Sequence, residues 1–301
     1  MEDSITGGSE PGLVVVGVDG SEQARAAALW AAAEAVRRGH PLHLVHATDT
    51  DGRAAYLSEN NVLRICAEGR ELLEQTAAAV SELHPELPVT TELSRSGPVI
   101  SLHSAAVRGG MVVVGNRGLG GFNSLLLGSV GLKVAAGART PVIVVRGAAD
   151  RAETGTVLVA VRDEHDLVCA HHAAREAVLR KASLRILHVW NVLQSVGNVA
   201  TMLDDVDEVA QGRMGSVTAV ADRIRDEFPS LTVHVDAEES VSVAAVLVEA
   251  SHHADLLVMG GRRSPGYIGP TLGRATHSLL HHAHCPVELI PRHAKGHGSA
   301  S

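Results

Sequence analysis

The chain has 301 residues, enough for two domains of ordinary size that each bury a core. At 45% apolar and 20% charged residues it lies far from the composition of disordered chains, and at 2% aromatic it has too few rings to stack single-stranded nucleic acid. Its formal charge of −8 is spread evenly, with 12 basic against 16 acidic residues up to position 150 and 14 against 18 beyond it, so no basic face offers itself to a phosphate backbone.

The acidic start Met1-Glu2-Asp3-Ser4 lacks the basic and apolar regions of a signal peptide, and no apolar run approaches transmembrane length. Three cysteines, Cys66, Cys169 and Cys285, are odd in number and far apart, which fits free thiols in a reducing compartment. The expectation is a cytoplasmic protein with neither membrane nor nucleic acid as partner.

In chain order, short apolar runs predict strands at Leu13–Val18, Leu42–Ala47, Val89–Leu93, Met111–Val114 and Val142–Val145. Helical patterns fall between them at Glu22–Arg38, Asn61–Leu83, Val99–Val107 and Ser129–Gly137. The second half repeats the scheme, with strands expected at Val157–Val161, Leu184–Val189, Leu231–Val235, Leu256–Met259 and Val287–Ile290. Anchors recur at an offset of about one domain: "LHLVHA" with "LRILHV", "MVVVGNR" with "LLVMGGR", "ARTPVIVV" with "AHCPVELI". The stretch "RGAADRAETG" between the copies reads as a linker, "LDDVDE" at 203–208 as a solvated helix start, and the last ten residues as a frayed tail. The fold class predicted is α/β, as two tandem doubly wound domains of five parallel strands, residues 1–148 and 149–301.

In such sheets ligands bind beyond the carboxyl ends of the strands, where strand order reverses. Two loops of the first copy carry suitable residues, Asp19-Gly20-Ser21 after the first strand and "VVVGNRGLGGFNSLLLGSV" after the fourth; both face one crevice if those strands are neighbours. Gly115, Gly118, Gly120 and Gly121 allow the backbone to turn amide groups toward a pyrophosphate and approach it closely. Phe122 and Leu125 to Leu127 would pin the excursion to the core. Ser129 is expected as the N-cap of a helix whose first turn, behind Gly128, makes an anion site. Asp19 suits a ribose hydroxyl, a base amine or a Mg²⁺ ion accompanying a triphosphate, or else caps the following helix. No Lys-Ser/Thr follows the second glycine as a P-loop demands, and Asn123 stands where a dinucleotide fingerprint needs its third glycine.

The pattern that does fit is Gly-x2-Gly-x9-Gly-Ser, as Gly115, Gly118, Gly128 and Ser129. Together with "VVGVDGS" and "TPVIVV" it makes the chain resemble the universal stress protein family in its tandem form, whose fold is of the adenine nucleotide alpha hydrolase type. From the family's ATP-binding members the resemblance implies that Gly17 and Asp19 contact the nucleoside, and that Ala47 meets adenine and ribose through its backbone. It implies further that Val114, Gly115, Asn116 and Gly118 wrap the ribose and phosphates, while Gly128, Ser129 and Val130 hold the phosphate tail. ATP, with Mg²⁺, is the cofactor implied. The function implied is a nucleotide-dependent stress-response regulator that answers to a regulatory protein partner, with homodimerisation of whole chains as a further option.

The second copy departs from this pattern. Gly260 and Gly273 remain, but Arg263 replaces the second glycine and Arg274 the serine, and Arg162 or Asp163 falls opposite Asp19. Loss of ATP is expected there, although two added arginines suit another anion. His46 and His188 read as structural or base-proximal, and no Ser or Cys nucleophile is paired with them, so no catalytic residue is assigned. The histidines at 281, 282 and 284 with Cys285 match no closed zinc spacing, and no metal ligand is assigned. Two competing functions share the fold: an adenine-nucleotide hydrolase or nucleotidyl transferase, and an interaction scaffold with an empty crevice.

Overall fold

The computed structural model describes residues 12–107, 110–118, 127–147, 152–190, 204–261 and 272–291. They group into two compact units, 1–114 and 115–301.

The first unit begins with β1 (Val14–Gly17), whose three valines are fully buried, as a strand covered on both faces requires. Helix α1 (Glu22–Arg38) follows. Ser21 caps it by accepting from the Ala24 N–H (3.1 Å), and Gly39 closes it in the left-handed region at φ 65°. Its buried stripe is alanine almost throughout, Ala24, Ala27, Ala28, Ala31, Ala32 and Ala35, which lets the helix lie close against the sheet. Then come β2 (Leu42–Ala47), α2 (Glu59–Leu83), β3 (Val89–Ser94), α3 (Pro98–Ala106) and β4 (Met111–Gly115). The strand order within this unit is β3-β2-β1-β4, all parallel. Chain order reverses between β1 and β4, which are hydrogen-bonded neighbours with Val14 beside Met111 and Val16 beside Val113. The neighbour condition set by the sequence is met.

The second unit holds the end of the first repeat and all of the second. It runs through α4 (Ser129–Ala136), β5 (Val142–Val145), β6 (Thr156–Ala160), α5 (Leu167–Arg180), β7 (Ser183–Trp190), α6 (Asp204–Glu227), β8 (Val233–Glu239), α7 (Val243–Ala250), β9 (Leu256–Gly260), α8 (Arg274–His282) and β10 (Val287–Ile290). The strand order is β5-β10-β9-β6-β7-β8. All these pairings are parallel except one, since β5 lies antiparallel to β10 with Glu288 beside Ile143. The last strands of the two repeats thus pair with each other.

That pairing explains why the compact grouping ignores the sequence repeat. It also gives structure to the start of the expected linker. Arg146 donates from Nε to the Ala283 carbonyl (3.1 Å) and from Nη1 to that of Leu280 (2.8 Å), at the carboxyl end of α8 where a cation is favoured. Gly147 takes φ 87°, and a Cβ there would stand 2.5 Å from the His284 carbonyl oxygen. Residues 148–151 and the tail from 292 lie outside the described residues.

Candidate functional site

In the first unit the carboxyl ends of β1 and β4 emerge side by side. Asp19 follows β1, half-buried, and its Oδ1 accepts from the Ser21 amide (3.0 Å) and the Ser21 hydroxyl (2.6 Å). Ser21, not Asp19, is the cap of α1; the aspartate orients the capping serine. Gly20 makes the turn at φ 88°. Gly17 has a packing reason of its own, because a Cβ would meet the Leu102 side chain of α3 at 3.1 Å. Ala47 ends β2 opposite Ser94 on β3, and Val114 is buried at the end of β4.

His46 is an anchor. Its Nδ1 lies 2.8 Å from the Val18 carbonyl, and a Cβ on Gly69 of α2 would approach its ring to 2.7 Å. His188 does the same in the second repeat, with Nδ1 2.8 Å from the Val161 carbonyl.

A polar rim that no motif announces lies beyond β2 and β3. Thr48 and Thr50 are buried, with their hydroxyl oxygens 3.1 Å apart, and Thr48 also donates to the Ser94 carbonyl (3.2 Å). The Ser101 hydroxyl donates to Ser94 Oγ (2.8 Å). Arg53 closes the rim by donating from Nη2 to the Thr48 carbonyl (2.6 Å). These residues follow the strands without forming a motif; the run of hydroxyl residues behind two apolar strands was the available signal.

In the second unit, residues 115–118 return to the amino end of α4. The Gly128 amide donates to the Asn116 carbonyl (3.0 Å), and a Cβ on Gly128 would lie 3.6 Å from the Gly118 nitrogen. Gly131 of the first turn faces the Gly115 carbonyl in the same way, at 3.6 Å. The expected cap is corrected here: Gly128 holds the N-cap with extended dihedrals (φ −62°, ψ 151°), and Ser129 is the first helical residue. A glycine cap has no side chain to occupy the first-turn amides, and Ser129 and Val130 are exposed. Among the described residues no side chain caps this turn, so its backbone N–H groups and the helix dipole suit an anion. Leu127 is buried and its amide donates to His281 Nδ1 (2.7 Å), so that end of the excursion is pinned. Gly120, Gly121, Phe122, Leu125 and Leu126 lie outside the described residues.

Strand pairing resolves the second copy's register. The Val18 amide donates to the Val45 carbonyl and the Val161 amide to the Leu187 carbonyl, which makes Arg162 the counterpart of Asp19. Its guanidinium forks onto Asp166, Nε to Oδ2 and Nη2 to Oδ1, both at 3.0 Å, and its amide donates to the same carboxylate. A cation already spent on a buried aspartate stands where the first copy has its acceptor. Gly273 caps α8 as Gly128 caps α4, but Arg274 begins the helix, and Arg263 lies outside the described residues. Of the histidines near 281, His281 lies on the Leu127 amide and His284 on a second ring. His252 and His284 stack with ring centroids 3.4 Å apart, and Cys285 is buried. No helix among the described residues is long and apolar enough to cross a membrane.

Comparison with known proteins agrees with this architecture. The family model described as "Universal stress protein family" matches residues 13–146 and again 153–291. A universal stress protein of Mycolicibacterium smegmatis is 29% identical over 291 residues, covering 92% of this chain and 96% of its own length. One from Mycobacterium tuberculosis is 27% identical over 298 residues, covering 96% and 100%. Among solved structures, a universal stress protein from Archaeoglobus fulgidus superposes with a TM-score of 0.66 at 16% identity over 93% of this chain and 98% of that one, a likeness of fold. With both repeats matched and full-length tandem relatives aligned end to end, the chain belongs to the universal stress protein family and carries two of its domains in tandem.

Proposed function

We propose that the chain binds an adenine nucleotide, ATP with Mg²⁺, chiefly through its first repeat, and acts as a nucleotide-dependent regulator of the stress response. The observation that carries the reading is the glycine-capped start of α4, with the Asn116 carbonyl on the Gly128 amide and the Gly118 backbone against the missing Cβ. Gly115, Asn116 and Gly118 would wrap the phosphates with Val114, and Gly128, Ser129 and Val130 would hold the terminal ones. Gly17, Asp19 and Ala47 would take the nucleoside, Asp19 with an orientation fixed by Ser21. Mg²⁺ would enter with the triphosphate and shield its charge from the carboxylate.

One nucleotide per chain is the expected stoichiometry. In the second repeat Asp19 has become an arginine locked to Asp166, and the first residue of the phosphate-facing helix is Arg274. The repeats divide as domains 1–148 and 149–301 in this reading. The bound nucleotide would order the glycine loop and so alter a surface that a regulatory protein reads, a shift of population and not a turnover.

Calorimetric titration of ATP with Mg²⁺ tests this on wild type, Gly118→Arg and Asp19→Ala. One strong site is expected in wild type. It should vanish in Gly118→Arg, whose side chain blocks the backbone approach, and weaken about tenfold or more in Asp19→Ala through loss of one charge-assisted hydrogen bond. Unchanged affinity in Gly118→Arg would refute the assignment. Hydrolysis faster than nucleotide release would favour an enzyme instead.

A further inference from the structure

The second repeat carries a group of side chains that the nucleotide reading does not use. On α5, His172 and Glu176 stand one turn apart, and Glu288 on β10 projects to the same face of the sheet. His172 Nε2 lies 2.9 Å from Glu288 Oε1 and 3.6 Å from Glu176 Oε1, and one donor atom from each residue falls within 4.8 Å of the others. Glu288 is fully buried on β10, between β5 and β9, and its Oε2 has no hydrogen-bond partner among the described residues. Glu176 is also buried, with Oε2 held by Arg180. The His172 side chain keeps 25% of its surface exposed and gives the group its opening to solvent.

The first repeat shows what these positions need for the fold alone. Residues aligned through Glu34 and Glu176 on the helices, and through the Pro-Val of β5 and β10, make Trp30 the counterpart of His172 and Ile143 that of Glu288. The helices bury matching positions, Ala27 to Ala35 in α1 and Cys169 to Ala177 in α5, so the correspondence is structural. Two apolar side chains, one of them fully buried, have given way to an imidazole and a carboxylate that meet across a helix and a strand. Glu34 with its arginines is kept as Glu176 with Arg180. An uncompensated carboxylate in a sheet interior is costly, and one imidazole serves only one of its oxygens.

We propose that His172, Glu176 and Glu288 form a binding site for a divalent transition-metal ion of the Zn²⁺ class. An imidazole with two carboxylates is a borderline donor set suited to such an ion. Ligand atoms of a tetrahedral zinc site are about 3.4 Å apart, and the separations of 2.9 and 3.6 Å bracket that spacing. Arg180 orients Glu176 from outside, as a supporting partner should. The cation supplies positive charge beside Glu288, and Nε2 of His172 is freed to ligate when a neutral ring moves its proton to Nδ1 or an imidazolium releases its Nε2 proton to solvent, while the solvent-facing side keeps the fourth position for water.

The test uses the full chain stripped with a chelator and titrated with Zn²⁺ and, for its spectrum, Co²⁺. Wild type is expected to bind one ion per chain and to show Co²⁺ visible bands. Glu288→Ile and His172→Trp, which install the first repeat's own residues, should each weaken binding at least 100-fold while His284→Ala leaves it unchanged. Circular dichroism identifies any variant that fails to fold. X-ray absorption on Zn²⁺-loaded wild type needs no variant: one imidazole with oxygen donors supports the site, whereas two or more imidazoles or a sulfur donor overturns it. Affinity unchanged in folded Glu288→Ile overturns it equally.

Discussion

Lys181 shows how the repeats keep one backbone conformation with different residues. It closes α5 at φ 53° in the place where Gly39 closes α1 at φ 65°, and its N–H reaches the Ala177 and Val178 carbonyls as Gly39's reaches those of Ala35 and Val36. A side chain with a Cβ pays for that conformation where glycine does not. Lys181→Gly is therefore expected to stabilise the chain by about 1 kcal/mol, read as a higher urea midpoint at unchanged slope; an unchanged or lower midpoint would count against it. At this scale the sequence is readable where chemistry is local. The Gly-x2-Gly-x9-Gly-Ser spacing led to a helix start with Gly118 against it, but the cap fell on Gly128, one residue before the serine expected there. The pair His172 and Glu288 was invisible, since 116 residues separate two side chains that carry no shared motif.

At the scale of elements, a hydrogen bond ties α4 to α8, from the Leu127 amide at the entrance of α4 to Nδ1 of the buried His281 on α8. Burial, and then the charges of His277, His282 and Arg146, hold the His281 pKa below its ordinary 6.5. The ring is thus neutral in the folded chain, and a proton on Nδ1 would cancel the acceptor. Below pH 6.5 the unfolded chain takes up that proton and the folded one does not until its own lower pKa is reached. Stability from this group is complete above pH 6.5 and declines as pH falls from there toward the lower pKa of the folded chain. The stability advantage of wild type over His281→Ala should shrink between neutral pH and about pH 5.5 in denaturant titrations; a constant difference would show that the ring is not an uncharged acceptor. The elements themselves were largely legible. Leu42–Ala47, Glu22–Arg38, Val142–Val145 and Val287–Ile290 fall where apolar runs and caps place them, and the other boundaries move by a residue or two except at β8, which extends to Glu239. The antiparallel partner of β5 was not legible, because an apolar run announces a buried strand and says nothing of which strand lies beside it.

For the whole molecule the β5–β10 ladder is decisive. β5 is apolar throughout, and a chain ending at Arg146 would leave its edge without the neighbour that covers it. Such a fragment is expected to self-associate in sedimentation experiments while the full chain does not associate through that edge; a fragment that stays monomeric at every concentration would contradict this. The ladder also sets what natural selection can write there. Glu288 and Ile143 occupy corresponding places in their repeats and face one another, so they sit at the local dyad relating β5 to β10. Were two identical copies to meet at such an axis, whatever stood there would confront itself, and a carboxylate would confront a carboxylate. Fusing the copies into one polypeptide lifts that constraint, because the halves of the seam are now encoded separately. An acid on one side with a hydrocarbon on the other is an arrangement open to a duplicated gene and closed to a symmetric pair of short chains.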